Sequence, residues 1–373
     1  MKTLVFTGGH HTSALAVIDA LKGQYQVFFL GHRYSMHGER AESAEYREVT
    51  ARAIPFFDLK AGKVYRTFSL IEWLRVPFGF FQSLWVLLKI RPDLIVSFGG
   101  YLAVPVVLAG WFFRIPVVTH EQTVVSGWAN RFIAKFAQKI FISWRGSEKF
   151  FPKEKVVLTG LPLRKEIVAL AKEIRRHRDT EIPKYRDEVR GVPHTVYITG
   201  GKQGSQVINR AIEGCLSGLL SRFEVIHQCG ALDLEKFLEI ENGLPEDPKA
   251  RYIVKDYFPQ EEIPHVYRAC DFVVGRAGAH TVYELAALGK PGVLIPIPWA
   301  SHHEQQRNAE ILERIGLVKI LPQSELSPKT FLRYLREVGE NTEVFREAGR
   351  KARKLVRLDA AQKIAEEILA ILA

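Results

Sequence analysis

Cysteine is scarce in this 373-residue sequence, which contains three: Cys215, Cys229 and Cys270. They have neither the spacing of a metal site nor the even number of a disulfide framework. Such unpatterned thiols are typical of proteins in a reducing cytoplasm. We therefore expect a protein of the cytoplasm.

Long uninterrupted apolar runs are also absent. The most apolar region, 68–88, is interrupted by Glu72, Arg75 and Pro77, whereas a membrane-spanning helix needs roughly 20 consecutive, mostly apolar residues. The N-terminus runs directly into a strand-like segment, Leu4–Phe6, which leaves no room for a signal helix. The sequence therefore predicts neither a transmembrane segment nor a signal peptide.

Acidic residues are sparse in the first half of the chain. Residues 1–164 carry 21 Lys and Arg against 11 Asp and Glu, whereas the remainder carries 31 against 30. Almost all of the net charge of +11 therefore lies in the first half. An anionic bilayer, a pyrophosphate lipid or a nucleic acid would suit such a surface, and an ordinary basic surface is the alternative.

Short apolar strands alternate with helix-length segments, which predicts an α/β fold with parallel sheets covered on both faces. The expected strands are 4–7, 25–30, 94–98, 116–119, 195–199, 223–228, 272–274 and 293–295. The expected helices are 13–21, 102–111, 205–220 and 359–372. A charged, proline-containing linker at 171–193 separates two such patterns, which indicates two doubly wound domains that face each other across a cleft and bind ligands at their strand ends.

Glycine marks four of the predicted strand-to-helix junctions: Gly8-Gly9-His10, Gly99-Gly100, Gly200–Ser205 and Gly275–Gly278. Glycine lets the backbone approach a ligand closely, and the helix that follows presents free N–H groups to an anion. Any one of these turns could be purely structural, but four in one chain favour phosphate binding. Lys202 adds a cation to the third.

Two polar patterns in the second half suit a nucleotide sugar. Glu284 lies about one and a half turns into a helix predicted to begin near Ala279, where a carboxylate can accept hydrogen bonds from both ribose hydroxyls. Gln305 and Gln306 are consecutive amides, which suit a polyhydroxylated sugar. A solvated helix face and an ordinary polar first turn are the respective alternatives.

Aromatic and aliphatic residues crowd two segments of the first half, 78–88 and 111–113, beside Arg75, Lys89 and Arg114. Apolar residues ringed by cations are typical of insertion into a membrane interface. A buried helix face is the alternative. The predicted membrane contacts are Phe81, Trp85 and Trp111.

Six segments of the chain, in their order and spacing, resemble the MurG family of glycosyltransferases, which make the second sugar addition to the bacterial cell-wall lipid precursor. They are Thr7–His10, Phe98–Tyr101, His120–Gln122, Gly160–Arg164, Gly200–Ser205 and Arg276–Asn308. The resemblance covers nearly the whole chain and implies two Rossmann-like domains of the GT-B fold. It assigns 1–163 and 356–373 to an acceptor- and membrane-facing domain, and 164–355 to a UDP-sugar domain.

The resemblance also implies roles for individual residues. On the donor side, Glu284 would hold the ribose, the backbone near Phe258 the uracil, and Arg164 would close over the diphosphate. The implied donor-binding residues are Arg164, Gly201, Lys202, Gln203, Gly204, Ser205, Phe258, Ala279, Glu284, Gln305 and Gln306. The implied acceptor-binding residues are Gly8, Gly9, Gly99, Gly100, Tyr101, His120 and Glu121.

The chain departs from the family pattern at several positions. Val5 and Phe6 replace two glycines, Ser13 replaces a proline, Thr123 an asparagine and Lys202 a serine. The altered first glycine loop leaves open transfer to another polyprenyl-pyrophosphate sugar or glycolipid. Two alternatives of other classes also stay open: a UDP-GlcNAc 2-epimerase, which shares the fold and the donor recognition, and a lipid-bound nucleotide sensor without turnover.

The implied reaction is a single inverting displacement, in which O4 of N-acetylmuramic acid attacks the anomeric carbon as UDP leaves. It needs a base and positive potential at the leaving diphosphate. His10 is the first candidate for the base, and a histidine that only hydrogen-bonds the acceptor is the alternative. Because no Asp-X-Asp pair occurs, we expect no metal bound through one, and no cofactor.

The expected partners are UDP-GlcNAc, a polyprenyl-pyrophosphate-linked sugar lipid and an anionic membrane surface, and no nucleic acid. We expect the protein to be peripheral, at the cytoplasmic face of the cell membrane.

Overall fold

The computed structural model describes residues 1–21, 25–34, 42–62, 70–176 and 194–373. The chain divides into two compact units. The N-terminal unit comprises Met1–Arg164 and Arg357–Ala373, and the C-terminal unit comprises Lys165–Val356. These limits place Arg164 in the N-terminal unit and Val356 in the C-terminal unit, each one residue away from the boundary expected from the sequence.

The N-terminal unit is built on a seven-stranded parallel sheet of order β3-β2-β1-β4-β5-β6-β7. Its strands are β1 (Thr3–Thr7), β2 (Gln26–Gly31), β3 (Phe56–Asp58), β4 (Leu94–Ser97), β5 (Val117–Glu121), β6 (Lys139–Ile142) and β7 (Val156–Leu158). Its first helices are α1 (His11–Ala20), α2 (Ala44–Thr50), α3 (Leu70–Ile90), α4 (Ala103–Phe112) and α5 (Trp128–Ile133). The central strands β4 and β5 are buried at every residue, because a parallel sheet is covered on both faces.

The C-terminal unit is built on a six-stranded parallel sheet of order β10-β9-β8-β11-β12-β13. Its strands are β8 (His194–Thr199), β9 (Phe223–Gln228), β10 (Tyr252–Lys255), β11 (Phe272–Gly275), β12 (Gly292–Leu294) and β13 (Val318–Ile320). Its helices are α6 (Lys165–Arg176), α7 (Gln206–Glu213), α8 (Leu216–Leu220), α9 (Leu234–Asn242), α10 (Glu246–Lys249), α11 (Ile263–Ala269), α12 (Ala279–Leu288), α13 (Glu304–Glu313), α14 (Pro328–Gly339) and α15 (Thr342–Leu355). The predicted fold class, two parallel-sheet α/β domains, is confirmed.

Two predicted segments differ from the structure. The helix expected at 205–220 is two helices, α7 and α8, separated at Gly214 and Cys215. A side chain at Gly214 would lie 2.6 Å from Pro328 Cγ, so α14 packs directly on the break. The linker expected from 171 is helical as far as Arg176, because Arg175 donates 2.8 Å and 3.3 Å hydrogen bonds to main-chain carbonyls of Arg353 and Val356. The rest of that linker, 177–193, lies outside the described residues.

Helix α3 continues through Pro77 and covers most of the apolar region 68–88, of which residues 68 and 69 lie outside the described residues. In the described part of the chain, no helix is both long enough and apolar enough to cross a membrane.

The last helix, α16 (Ala360–Leu372), belongs to the N-terminal unit and packs on α1. Its Ile364 and Ile368 are fully buried in one cluster with Leu15 and Phe141. Lys139 of β6 pairs with Glu367 at the edge of this contact. The end of the chain therefore contributes directly to the core of the unit that contains its beginning.

Replacement of Ile364 by Ala should lower the free energy of unfolding by about 2–5 kcal/mol, because it opens a cavity between α1 and α16. Calorimetric unfolding measures the change. Leu369→Ala is the matched control, since Leu369 is 39% exposed on the same helix and should cost less than about 1 kcal/mol. Equal effects of the two substitutions would contradict this packing.

Candidate active site

Two glycine turns meet at the carboxyl edge of the N-terminal sheet, where β1 and β4 are neighbours. The Gly9 N–H donates to Gly99 O at 3.3 Å. Gly8, Gly99 and Gly100 have φ of 123°, 72° and 79°, and a side chain at Gly8 would lie 2.7 Å from Gly99 O. Only glycine fits such turns, so the structure brings the predicted acceptor glycines together in one backbone cluster.

His10 immediately precedes α1 and makes no capping hydrogen bond through its side chain. Loss of hydration, with a smaller contribution from His11, lowers the pKa of His10 to about 4. His10 is exposed to solvent, so the pKa is lowered less than burial of the ring would lower it. Even at the ordinary histidine pKa of about 6.5, most of the imidazole is neutral at pH 7. A neutral imidazole has a lone pair that can accept a proton.

His120 and Glu121 are buried behind the glycine turns. The Nε2 atom of His120 lies 3.0 Å from Gly160 O, and burial lowers the pKa of His120 to about 4. Burial raises the pKa of Glu121, which accepts hydrogen bonds from Thr123 Oγ1 at 2.9 Å and from Asn130 Nδ2 at 2.8 Å. Thr123, a departure from the family pattern, thus stabilises this carboxyl group.

Glu121 acts on the turn through Asn130, since a side chain at Gly99 would lie 2.1 Å from Asn130 Oδ1. Glu121 therefore supports the turn from within the protein, whereas His120 contacts the main chain at Gly160.

His32 is a residue that the sequence analysis missed. It follows β2, and its Nε2 atom lies 3.0 Å from the hydroxyl of Tyr101 at the edge of the same sheet. Tyr101 is 37% exposed, so the pair borders the glycine turns at the surface. No motif surrounds His32, and only the strand order, which the sequence does not reveal, brings it to Tyr101.

The glycine loop, residues 200–205, connects β8 to α7 in the C-terminal unit. Gly201 and Gly204 have φ of 91° and 75°, and Gly201 donates its N–H to Thr199 Oγ1 at 3.0 Å. Ser205 precedes α7 without capping it, because its hydroxyl oxygen accepts a 2.8 Å hydrogen bond from Arg276. The side chain of Ser205 is thereby kept off the start of α7, where backbone N–H groups can receive an anion.

Lys202 and Gln203 are exposed at the tip of this loop. The ammonium group of Lys202 adds positive potential beside the start of α7. The loop therefore has the backbone shape and the charge that a diphosphate requires.

Glu284 lies in α12, which begins at Ala279, as the sequence predicts. Its Oε2 atom accepts a 2.8 Å hydrogen bond from the hydroxyl of Tyr267, which holds the half-buried carboxylate in one orientation. Phe258 is buried, and its N–H donates to Gln228 Oε1 at 3.1 Å. Because the N–H of Phe258 is already bonded, its main-chain carbonyl is the group that could accept a hydrogen bond from a uracil.

Gln305 and Gln306 lie in the first turn of α13, after a 3₁₀ turn at Ser301–His303. The Oε1 atom of Gln305 accepts the Ile297 N–H at 3.1 Å. Gln306 lines an open cavity of about 410 Å³ together with Ile297, His303 and three prolines. His302 and His303 have φ of 52° and 53°, which is strained for residues with side chains.

Arg164 is the last residue of the first segment of the N-terminal unit. Its implied place over a diphosphate remains an expectation.

The predicted membrane residues belong to a set of exposed apolar side chains on α3 and at the end of α4, two helices that pack together. We call it the aromatic face; it consists of Phe78, Phe81, Trp85, Leu88, Trp111 and Phe112, which are 55–66% exposed. The α3 members recur at helical spacing, while Val86 and Leu87 on the other side are buried. Lys89 Nζ lies 5.5 Å from the centre of the Trp85 ring. The aromatic face thus combines apolar exposure with a flanking cation.

Family models match both units. The model of the glycosyltransferase family 28 N-terminal domain matches residues 5–142, and that of the family 28 C-terminal domain matches residues 195–368. A relative from Bacillus cereus is 32% identical over 94% of this chain and 95% of its own length. Its name is UDP-N-acetylglucosamine–N-acetylmuramyl-(pentapeptide) pyrophosphoryl-undecaprenol N-acetylglucosamine transferase 2. A Clostridium botulinum relative named for the same transferase activity is 32% identical over 92% and 93% of the two chains.

Solved structures share the fold of this chain. The crystal structure of Acinetobacter baumannii MurG has a TM-score of 0.73 at 26% identity and covers 99% of this chain and 100% of its own. A Neisseria meningitidis UDP-GlcNAc 2-epimerase bound to UDP-GlcNAc has a TM-score of 0.65 at 16% identity over 99% and 100% of the chains, a likeness of fold alone.

The two parallel sheets and these comparisons define a glycosyltransferase of the GT-B class. Within that class, the chain belongs to the MurG family.

Replacement of Gly204 by Ala should weaken UDP binding by about tenfold or more. The loop would have to move to admit the methyl group, and such backbone strain reduces the binding free energy by about 1–3 kcal/mol. The new methyl group would lie 2.1 Å from Cys229 O, at a φ of 75°. Isothermal calorimetry with UDP measures the change. Gly243→Ala is the matched control, since Gly243 is exposed with a φ of −81°; unchanged UDP affinity in Gly204→Ala would remove the loop from the site.

Proposed function

We propose that this protein transfers N-acetylglucosamine from UDP-GlcNAc to the muramoyl sugar of a polyprenyl-pyrophosphate lipid. The observation that carries the proposal is the 32% identity, over 94% of the chain, to a relative named for this reaction. The arrangement of the C-terminal unit supports the donor side, since the glycine loop, Glu284 and the Gln305–Gln306 pair all follow strands of one parallel sheet.

In the proposed donor site, the start of α7 and Lys202 receive the diphosphate. The oriented carboxylate of Glu284 accepts the ribose hydroxyls, while Gln305 and Gln306 hold the GlcNAc hydroxyls. One of these two amides also binds the acetamido group, so the site should bind UDP-GlcNAc more tightly than UDP-glucose. The proposal includes no metal and no cofactor.

In the proposed reaction, the acceptor O4 attacks the anomeric carbon and forms the new glycosidic bond. The bond between that carbon and the β-phosphate oxygen of UDP breaks at the same time, which inverts the configuration and gives a β-1,4 linkage. The proton leaves O4 for the neutral imidazole of His10, and the negative charge passes to UDP. Backbone N–H groups and cations stabilise that charge because they are already oriented.

The experiment that tests this proposal measures UDP release with and without a polyprenyl-pyrophosphoryl-MurNAc-peptide. We expect release only when this lipid is present, and more rapidly from UDP-GlcNAc than from UDP-glucose. ManNAc formed without lipid would support an epimerase instead. UDP binding without turnover on any lipid acceptor would support a nucleotide sensor.

His10→Ala should lower kcat by about 10²–10⁴-fold, the usual contribution of a general base, and leave UDP affinity within about twofold because His10 acts on the acceptor. His10→Gln distinguishes the two roles of this residue. A glutamine preserves a hydrogen bond to the acceptor but cannot take its proton, so near-wild-type turnover of His10→Gln would show that His10 is no base.

We also propose that the aromatic face docks on an anionic membrane surface at the cytoplasmic side. Its indole and phenyl groups would enter the interface while Lys89 and the basic excess of the N-terminal half hold the headgroups. The free thiols Cys215, Cys229 and Cys270 suit that compartment.

The double substitution Phe81→Ser, Trp85→Ser should reduce co-sedimentation with phosphatidylglycerol vesicles and leave UDP affinity unchanged. Added salt should weaken the wild-type interaction, since exposed charges are screened. Leu232→Ser with Ile253→Ser is the matched control, because both residues are exposed in the C-terminal unit. If the control loses as much vesicle binding as the test variant, the docking surface is not the aromatic face.

A further inference from the structure

We propose that Gln228 is a positioning residue that ties the uracil-facing segment of the donor site to the glycine loop. This inference rests on the proposed function, because it concerns how the site for the UDP moiety keeps its shape. Gln228 would not contact the nucleotide itself. It acts through the main chain of Gly201 and Phe258, which belong to the two segments that would contact the nucleotide.

Gln228 occupies a position from which it can reach two loops. It is the last residue of β9, paired with Thr199 of β8 on one side and with Lys255 of β10 on the other. The chain leaves β8 through the glycine loop and leaves β10 toward Phe258. A side chain at this point of the sheet edge therefore lies between the two segments.

The carboxamide of Gln228 uses its whole hydrogen-bonding capacity. Its Nε2 atom donates to Gly201 O at 2.8 Å and to Thr199 Oγ1 at 3.2 Å. Its Oε1 atom accepts from the Phe258 N–H and from the Tyr197 hydroxyl, each at 3.1 Å. A primary amide has two donor and two acceptor positions, and all four are filled although the residue is only 3% exposed.

The orientation of this amide is fixed by chemistry. Gly201 O can only accept and the Phe258 N–H can only donate, so exchange of the Oε1 and Nε2 positions would break both contacts. If either loop moves, a buried amide group loses its partner, which is costly. One rigid group therefore sets the distance between the diphosphate-facing loop and the uracil-facing segment.

The same cluster extends to the proposed ribose contact. The Tyr197 ring packs edge-on against Phe258 and Tyr267, with centroids 5.9 Å and 6.1 Å away. Tyr267 in turn donates to Glu284 Oε2 at 2.8 Å. Burial, with the neighbouring Glu284 carboxylate, raises the pKa of Tyr267, so its hydroxyl keeps the proton that it donates.

The test compares the affinities of the folded protein for uridine and for UDP by calorimetry. In Gln228→Met, which has a similar volume but makes none of the four hydrogen bonds, UDP affinity should fall by about tenfold or more. The advantage of UDP over uridine should shrink as well, because the glycine loop is no longer held at its distance from the uracil segment. Tyr197→Phe is the matched control: it removes one of the four bonds and leaves the Gly201–Phe258 bridge, so the UDP-to-uridine ratio should stay at the wild-type value.

A lowered melting temperature of Gln228→Met with a wild-type ratio would make Gln228 a stabilising residue only, and would overturn the inference. If Gln228→Met does not fold, Gln228→Asn takes its place, because a side chain one methylene shorter cannot reach both loops, and the same two results decide. If the wild-type protein binds UDP and these variants keep its UDP-to-uridine affinity ratio, only the role of Gln228 is contradicted. A wild-type protein that does not bind UDP contradicts the proposed function itself.

Discussion

In both units, parallel strands bring all their carboxyl ends to one edge of the sheet, and the chain must turn there into a helix within a few residues. That constraint selects glycines with positive φ at 8, 99 and 100 in one unit and at 201 and 204 in the other. It also leaves main-chain N–H groups at the starts of helices. The proposed binding of two pyrophosphate groups, one on a lipid and one on a nucleotide, depends on these turns.

Buried polar side chains hold the turns in place. Asn130 fills the space that a side chain at Gly99 would need, and Gln228 bonds the carbonyl of Gly201. Loss of hydration lowers the pKa of both His10 and His120, so the acceptor side carries neutral imidazoles. Positive charge is instead supplied on the donor side, by Lys202 at the tip of the glycine loop and by Arg276, which donates a hydrogen bond to Ser205.

Much of the fold could be predicted because its strands are short apolar runs followed by glycine, as at β1, β4 and β8. The helix that contains Glu284 could also be predicted, because the residues around Glu284 are small and apolar. Strand β10 was missed because it alternates buried and exposed residues, as edge strands do. The break at Gly214 was missed because it depends on Pro328, which is far away in the sequence.

The supporting residues of the site could not be predicted, since their partners come from different strands. His32 meets Tyr101 and Gln228 meets Phe258 only once the strand order is known. The roles of individual residues in binding stay predictions, whereas the family and the fold do not depend on them.

The central claim is that this protein builds a disaccharide lipid. Its most direct test is the mass spectrum and linkage analysis of the lipid fraction after incubation with UDP-GlcNAc and a polyprenyl-pyrophosphoryl-MurNAc-peptide. The account predicts a lipid that carries one additional N-acetylhexosamine in β-1,4 linkage to the muramoyl sugar. An unmodified lipid in the presence of folded, UDP-binding protein would contradict it.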